Sequence, residues 1–218
     1  MNKFIPQRRK LLQFGLAGLS VFMDNHLLPA SLKAASLSKA SLGALLPPDE
    51  NGVRLPKGFT SRIIAHSGRD IFGYTWHSAP DGGVVFAAED GGWIYVSNSE
   101  MKDKTGGVGA VRFDRQGEVV DAYSILSNTT RNCAGGHTPW QTWLSCEEID
   151  KGEVWECDPF GEKAPQVRRS LGLFKHEAVA VDVKNHQLYL TEDERDGRLY
   201  RYISNAIDAA GNLDLDDG

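Results

Sequence analysis

The chain has 218 residues and a mass of 24.0 kDa, with 41% hydrophobic and 24% charged residues, the balance of an ordinary globular fold. No run reaches the ~18 apolar residues that a transmembrane helix requires. The formal net charge is −5, and past the first ~40 residues about 18 Lys+Arg face about 28 Asp+Glu, so the body sits near −10. That acidity argues against nucleic acid and anionic membrane as partners and suits a cation-binding protein.

In chain order, the first element is a leader. "PQRRKLLQFGLAGLSVF" sets Arg8 and Arg9 before a short apolar run, Leu11 to Phe22, of signal-peptide length. The paired arginines resemble a twin-arginine export signal, which carries folded, often cofactor-loaded proteins to the periplasm or out of the cell. The alternative is a basic amphipathic helix. "LPASLKAASLSKASLGALLPP" then reads as leader or linker. Residues 1–45 are therefore expected to be signal and linker, and residues 46–218 the folded domain, its start near Leu45 to Leu55.

Beyond residue 58 the expected elements are strands: "VVFAAED", "WIYVSNSE", "GAVRFD", "VVDAYSIL", "TWLSCEE", "EVWECD", "AVAVDV", "QLYLTED" and "RLYRYI". Short apolar or alternating runs bounded by Gly, Asp and Asn predict an all-β fold. An internal repeat narrows it. "WIYVSNSE" (93–100), "TWLSCEEI" (142–149) and "LYLTEDER" (188–195) share aromatic and aliphatic residues, a small hydroxyl, then acids, and each is followed by a second strand. The repeat recurs every ~46 to 50 residues, the length of a four-stranded propeller blade. The expected architecture is a β-propeller of about three to four blades, with a β-sandwich as the alternative. Closed propellers use four to eight blades, and "AAGNLDLDDG" reads as a hairpin whose partner strand does not follow. The expectation is a fragment of a longer chain, or a half that self-associates or meets a complementing chain.

The repeat places acids at corresponding positions: Glu100, then Glu147 and Glu148, then Glu192, Asp193 and Glu194. Carboxylates gathered at one channel repel unless a cation neutralises them, and oxygen-rich clusters favour calcium. Solvated turns are the alternative. Cys133 lies in "RNCAGGHTPW", where Gly135 and Gly136 permit tight turning and close approach to a ligand. Its thiolate would add a softer ligand, suited to iron or zinc; a buried free cysteine or a Cys133–Cys146 disulfide are the alternatives. Cys146 and Cys157 read as structural, and none of the three forms the C-x-x-C of a zinc knuckle. "KHEAVAVD" puts His176 and Glu177 at a strand mouth, Glu177 the better ligand. Arg195, after the third acidic cluster, suits phosphate through its planar fork or pairs with a neighbouring acid at the surface.

These stretches together resemble the PhoX family of exported alkaline phosphatases. "NCAGGHTPWQTWLSCEE" resembles that family's N-C-A-x-G-x-T-P-W-G-T-[WY]-L-[ST]-C-E-E block, with Gln141 where the family usually has Gly. "KHEAVAVD" and "LYLTEDERDGRLYRYI" resemble two further blocks in the same order, and the resemblance covers most of residues 55–205. It implies a β-propeller phosphomonoesterase whose channel holds ferric iron and calcium bridged by an oxo group. By that resemblance Cys133 would ligate iron, Glu148 and Glu177 would be metal ligands, Glu147 would share that role, and Arg195 would contact the substrate phosphate. Calcium is also suggested by the acidic clusters; iron comes from the resemblance alone. Some larger members carry a ligand glutamate where this chain has Gly197, and the resemblance implies later blades that supply further ligands and phosphate-binding groups. The expected function is a metal-dependent phosphatase acting on small phosphate esters. A calcium-dependent lactonase and a non-catalytic calcium-binding propeller are the alternatives.

Overall fold

The computed structural model describes residues 42–208 and 210–218. The twin-arginine leader expected at Arg8 and Arg9 lies outside the described residues. Contacts divide the chain into two units, 1–62 and 63–218. In the described part of the first, Leu45 bridges Pro56, and the Asp49 carboxylate accepts from the Val53 and Asn51 amides and the Ser61 hydroxyl. That is a small loop closed by its own polar groups.

The second unit is all-β, without an α-helix among its described residues. A short ribbon, β1 (Asp70–Ile71) and β2 (Tyr74–Thr75), precedes the main body. Four antiparallel strands follow in simple up-and-down order: β3 (Pro80–Ala87), β4 (Trp93–Ser99), β5 (Gly106–Phe113) and β6 (Val119–Thr129). A second sheet repeats the plan with β7 (Asn132–His137), β8 (Trp143–Glu147), β9 (Val154–Cys157) and β10 (Gln166–Val167). The third has β11 (His176–Asp182), β12 (Gln187–Glu192) and β13 (Leu199–Ile203), with no fourth strand among the described residues. These are blades of an open, incomplete propeller. The expected repeat falls on β4, β8 and β12, the second strand of each blade.

The blades pack face to face through side chains that leave each sheet alternately on either side. β8 carries Trp143, Leu144 and Cys146 within four residues because it belongs to the middle blade and is buried on both faces. Trp143 joins Phe86, Ile94, Val96, Val108 and Cys157 between the first two blades. Leu144 and Cys146 point the other way, against Val179, Leu188 and Leu190 of the third. Cys146 and Cys157 therefore serve different cores, and all three cysteines are free. No Cys133–Cys146 disulfide forms.

The inner strands β3, β7 and β11 lie side by side where the blades converge, and glycine makes the approach possible. A Cβ on Gly82 would stand 2.6 Å from the Ala134 Cα, and one on Gly136 would stand 2.1 Å from the Val179 carbonyl oxygen. The "NCAGGH" glycines, expected to make a turn, thus belong to a strand. Lacking side chains to alternate, they hide the strand from any reading of hydrophobic period.

Candidate metal centre

One backbone device recurs in all three blades. The first residue of each inner strand pairs with the second strand, the register then slips, and pairing resumes three residues later. Pro80 pairs with Ser99 and Gly83 with Ser97; Asn132 with Glu147 and Gly135 with Ser145; His176 with Glu192 and Val179 with Leu190. A bulge of this kind re-aims the residues it frees. The second residue of each inner strand is Asp81, Cys133 and Glu177 in turn, and these three meet.

The Cys133 sulfur lies 3.4 Å from Asp81 Oδ2 and 3.3 Å from Glu177 Oε2. Ligand atoms of Cys133, Glu148 and Glu177 all fall within 4.8 Å of one another. Three of the residues expected from the sequence are therefore brought together. Burial pushes the Cys133 thiol well above its usual range, and the neighbouring Glu177 and Asp81 carboxylates push it further. One S–H proton cannot serve two carboxylate oxygens at once. The remaining oxygen–sulfur contact sets lone pair against lone pair, an arrangement that a cation relieves. The donor set, a thiol with two carboxylates beside it and a third carboxylate in contact, fits a cation: oxygen for a hard ion, sulfur for a softer one.

A second tier lies where β4, β8 and β12 end. Glu100, Glu148 and Asp193 are the residues that follow these strands, and their amides donate to Ala79, Arg131 and Lys175, the residues that precede the inner strands. Glu148 is held protonated to higher pH than usual, first by desolvation and then by its hydrogen bond to Asp193, with Arg131 opposing. Arg131 Nη2 reaches Glu100 Oε1 at 2.6 Å and Glu148 Oε2 at 3.3 Å.

Glu147 is turned elsewhere. Its Oε1 accepts from the Thr130 amide at 2.8 Å and its Oε2 from the Glu153 amide at 3.2 Å, so it ties two loops to β8. Successive residues of a strand face opposite ways, and the doublet Glu147–Glu148 could not by itself say which member faces the group. Arg195 is exposed on the turn two residues after Asp193; its backbone amide donates to the Glu194 carboxylate, and its guanidinium makes no ion pair among the described residues. His176 is fully buried, its ring 3.7 Å from that of Phe174 and its Nε2 3.2 Å from the Gly172 oxygen. It is a core residue.

Asp81, Arg131 and Asn98 were not singled out by the sequence reading. Asp81 left one signal: "DGG" and "CAGG" both set a ligand-type residue just before glycines, at the head of an inner strand. Asn98 left none. Fully buried on β4, it donates from Nδ2 to the carbonyls of Cys133 (2.9 Å) and Ala134 (2.8 Å). Its Oδ1 accepts from Trp143 Nε1 (2.8 Å) and Ser145 Oγ (2.9 Å). It pins the bulge that presents Cys133.

Fold and site together define an open propeller with a thiol–carboxylate cluster where its inner strands meet. Residues 82–218, more than half of the chain, match the family model for alkaline phosphatase PhoX, and the chain belongs to that family. No curated protein matches the chain. The resemblance drawn from "NCAGGHTPWQTWLSCEE" is borne out by that match.

Proposed function

We propose that this chain contributes the cation-binding centre of an exported phosphomonoesterase, releasing inorganic phosphate from small organic phosphate esters. The observation that carries the reading is the meeting of Cys133, Glu148 and Glu177 within 4.8 Å, in a chain of an alkaline phosphatase family. Cys133, Glu148 and Glu177 would hold the cations, and Asp81, in contact with the sulfur, would join them. Calcium suits the carboxylates; iron suits the thiolate and is proposed on the family resemblance. Bound there, such cations polarise phosphoryl oxygen and lower the pKa of water. Arg195, exposed and with its guanidinium in no ion pair among the described residues, would orient the phosphate by paired hydrogen bonds. Export by the twin-arginine route and completion of the propeller by a second copy or a complementing chain belong to the same proposal.

The test is hydrolysis of p-nitrophenyl phosphate by the purified full chain, with and without a calcium chelator, alongside metal analysis of Cys133→Ser and Cys157→Ser. Chelator-sensitive turnover and iron lost only from Cys133→Ser support the reading. Equal iron in both variants removes Cys133 from the ligand set. Calcium binding with no phosphatase turnover points to a binding module, and lactone turnover to the lactonase alternative.

A further inference from the structure

We propose that Arg131 is a positioning residue of this centre, fixing the Glu148 carboxylate beside Cys133 and Glu177; the inference rests on reading that group as a cation site. Arg131 is the residue before β7, and its backbone is gripped from both sides. Its N–H donates to the Met101 carbonyl at 2.7 Å, in the loop after β4, and its carbonyl accepts from the Glu148 N–H at 2.9 Å. Its φ is 52°, in the left-handed region, as is that of Ala79 (47°) at the matching place in the first blade. Such a conformation disfavours a residue with a Cβ, and glycine or asparagine would relieve it. What sets Arg131 apart from Ala79 is the use of its side chain.

That use is visible in the ion pairs. Glu100, from the first blade, anchors the guanidinium at 2.6 Å, and the same Nη2 reaches Glu148 of the second blade. Glu148 is otherwise faced by Asp193, with which it shares a hydrogen bond, and by the charge of Glu100. The other nearby cation, Lys175, is engaged by Glu194 at 2.5 Å and Asp150 at 3.8 Å. Without Arg131, three acids from three blades would face one another with only Lys175, already held by Glu194 and Asp150, to offset them, and the Glu148 carboxylate would be expected to turn toward solvent. Arg131 Nε is buried without a partner, so one end of the fork does the holding. A lysine, with its single charged head, should therefore substitute.

The experiment is calcium titration by calorimetry on the full chain, together with a crystal structure of metal-free Arg131→Gln. Removing a residue that orients a metal ligand weakens metal binding about 10–100-fold, and that loss is expected for Arg131→Gln, with Arg131→Lys restoring most of the affinity. In the Arg131→Gln structure the Glu148 carboxylate should leave the neighbourhood of Cys133 and Glu177. Calcium binding unchanged or tighter in Arg131→Gln, or Glu148 still in place, overturns the proposal; tighter binding would mean that Arg131 merely competes with the cation. Should the wild-type chain bind no calcium while Glu148 still moves in Arg131→Gln, the positioning role stands and the cation reading falls. Glu100→Gln, which removes only the anchor, should show a smaller loss and serves if Arg131→Gln does not fold.

Discussion

Replacing Asn98 with alanine should be among the most damaging single changes in the chain, and the size of the effect follows from its four hydrogen bonds. Two carbonyls, those of Cys133 and Ala134, lose a donor, and Trp143 Nε1 and Ser145 Oγ lose their acceptor. Ser145 keeps the bond it receives from Asn132 Nδ2 at 2.9 Å. A buried polar group left unpaired costs about 1–3 kcal/mol. Water entering the space left by the amide can satisfy some of them, so the four do not add in full. A total of about 3–5 kcal/mol remains, a large share of the roughly 5–15 kcal/mol that holds a domain together. Asn98→Asp is nearly isosteric and should do no better, since it turns two donors into acceptors aimed at two carbonyl oxygens. Urea unfolding of wild type and both variants, extrapolated linearly to water, measures the loss. A cost below about 1 kcal/mol for Asn98→Ala, with an unchanged denaturant slope, would refute the reasoning and mean that the amide is not what joins the blades.

Gly136→Ala should be destabilising by about 3 kcal/mol or more, at or beyond the upper range for overpacking, because its Cβ would sit 2.1 Å from the Val179 carbonyl oxygen. Thermal unfolding checks this, and a melting temperature within a degree of wild type would show that the inner strands are not in close contact. His77 should make stability fall with acid. Burial lowers its pKa to about 4, against the 6.5 of an unhindered imidazole, partly offset by a hydrogen bond to the Asn98 backbone. Its ring meets the Tyr74 hydroxyl at 3.3 Å and the Ser97 hydroxyl at 3.2 Å and packs at a tilt against Trp76, with no acid against it among the described residues. The unfolded chain therefore binds the extra proton first. The stability from the neutral ring is whole above pH 6.5, is lost as pH falls toward about 4, and is level below that. With the ring partly open to water the loss is about 1–2 kcal/mol. The stability difference between wild type and His77→Gln should shift by that amount between pH 7 and 4, and a constant difference would exclude His77 as the cause.

The sequence by itself determined the blade. Aromatic and aliphatic runs of strand length, recurring with acids behind them, place β4, β8 and β12, because a strand in the interior of a packed sheet is written largely in apolar residues. The family motif likewise marked Cys133, Glu148 and Glu177, whose residue types carry the chemistry. Which residues face one another was decided only by the tertiary structure. β7 carries Cys133, yet its glycines have no pattern to read, since their role is to let a neighbouring strand come close. Glu147 and Glu148 are alike in sequence, and a single step along the strand sends one into the loop supports and the other to Cys133. Asp81, Arg131 and Asn98 act across blades, on partners 31 to 52 residues away. Such contacts exist only once the sheets stack, because the bulge that aims each inner-strand residue is a slip of pairing between strands, which no local stretch of chain can record.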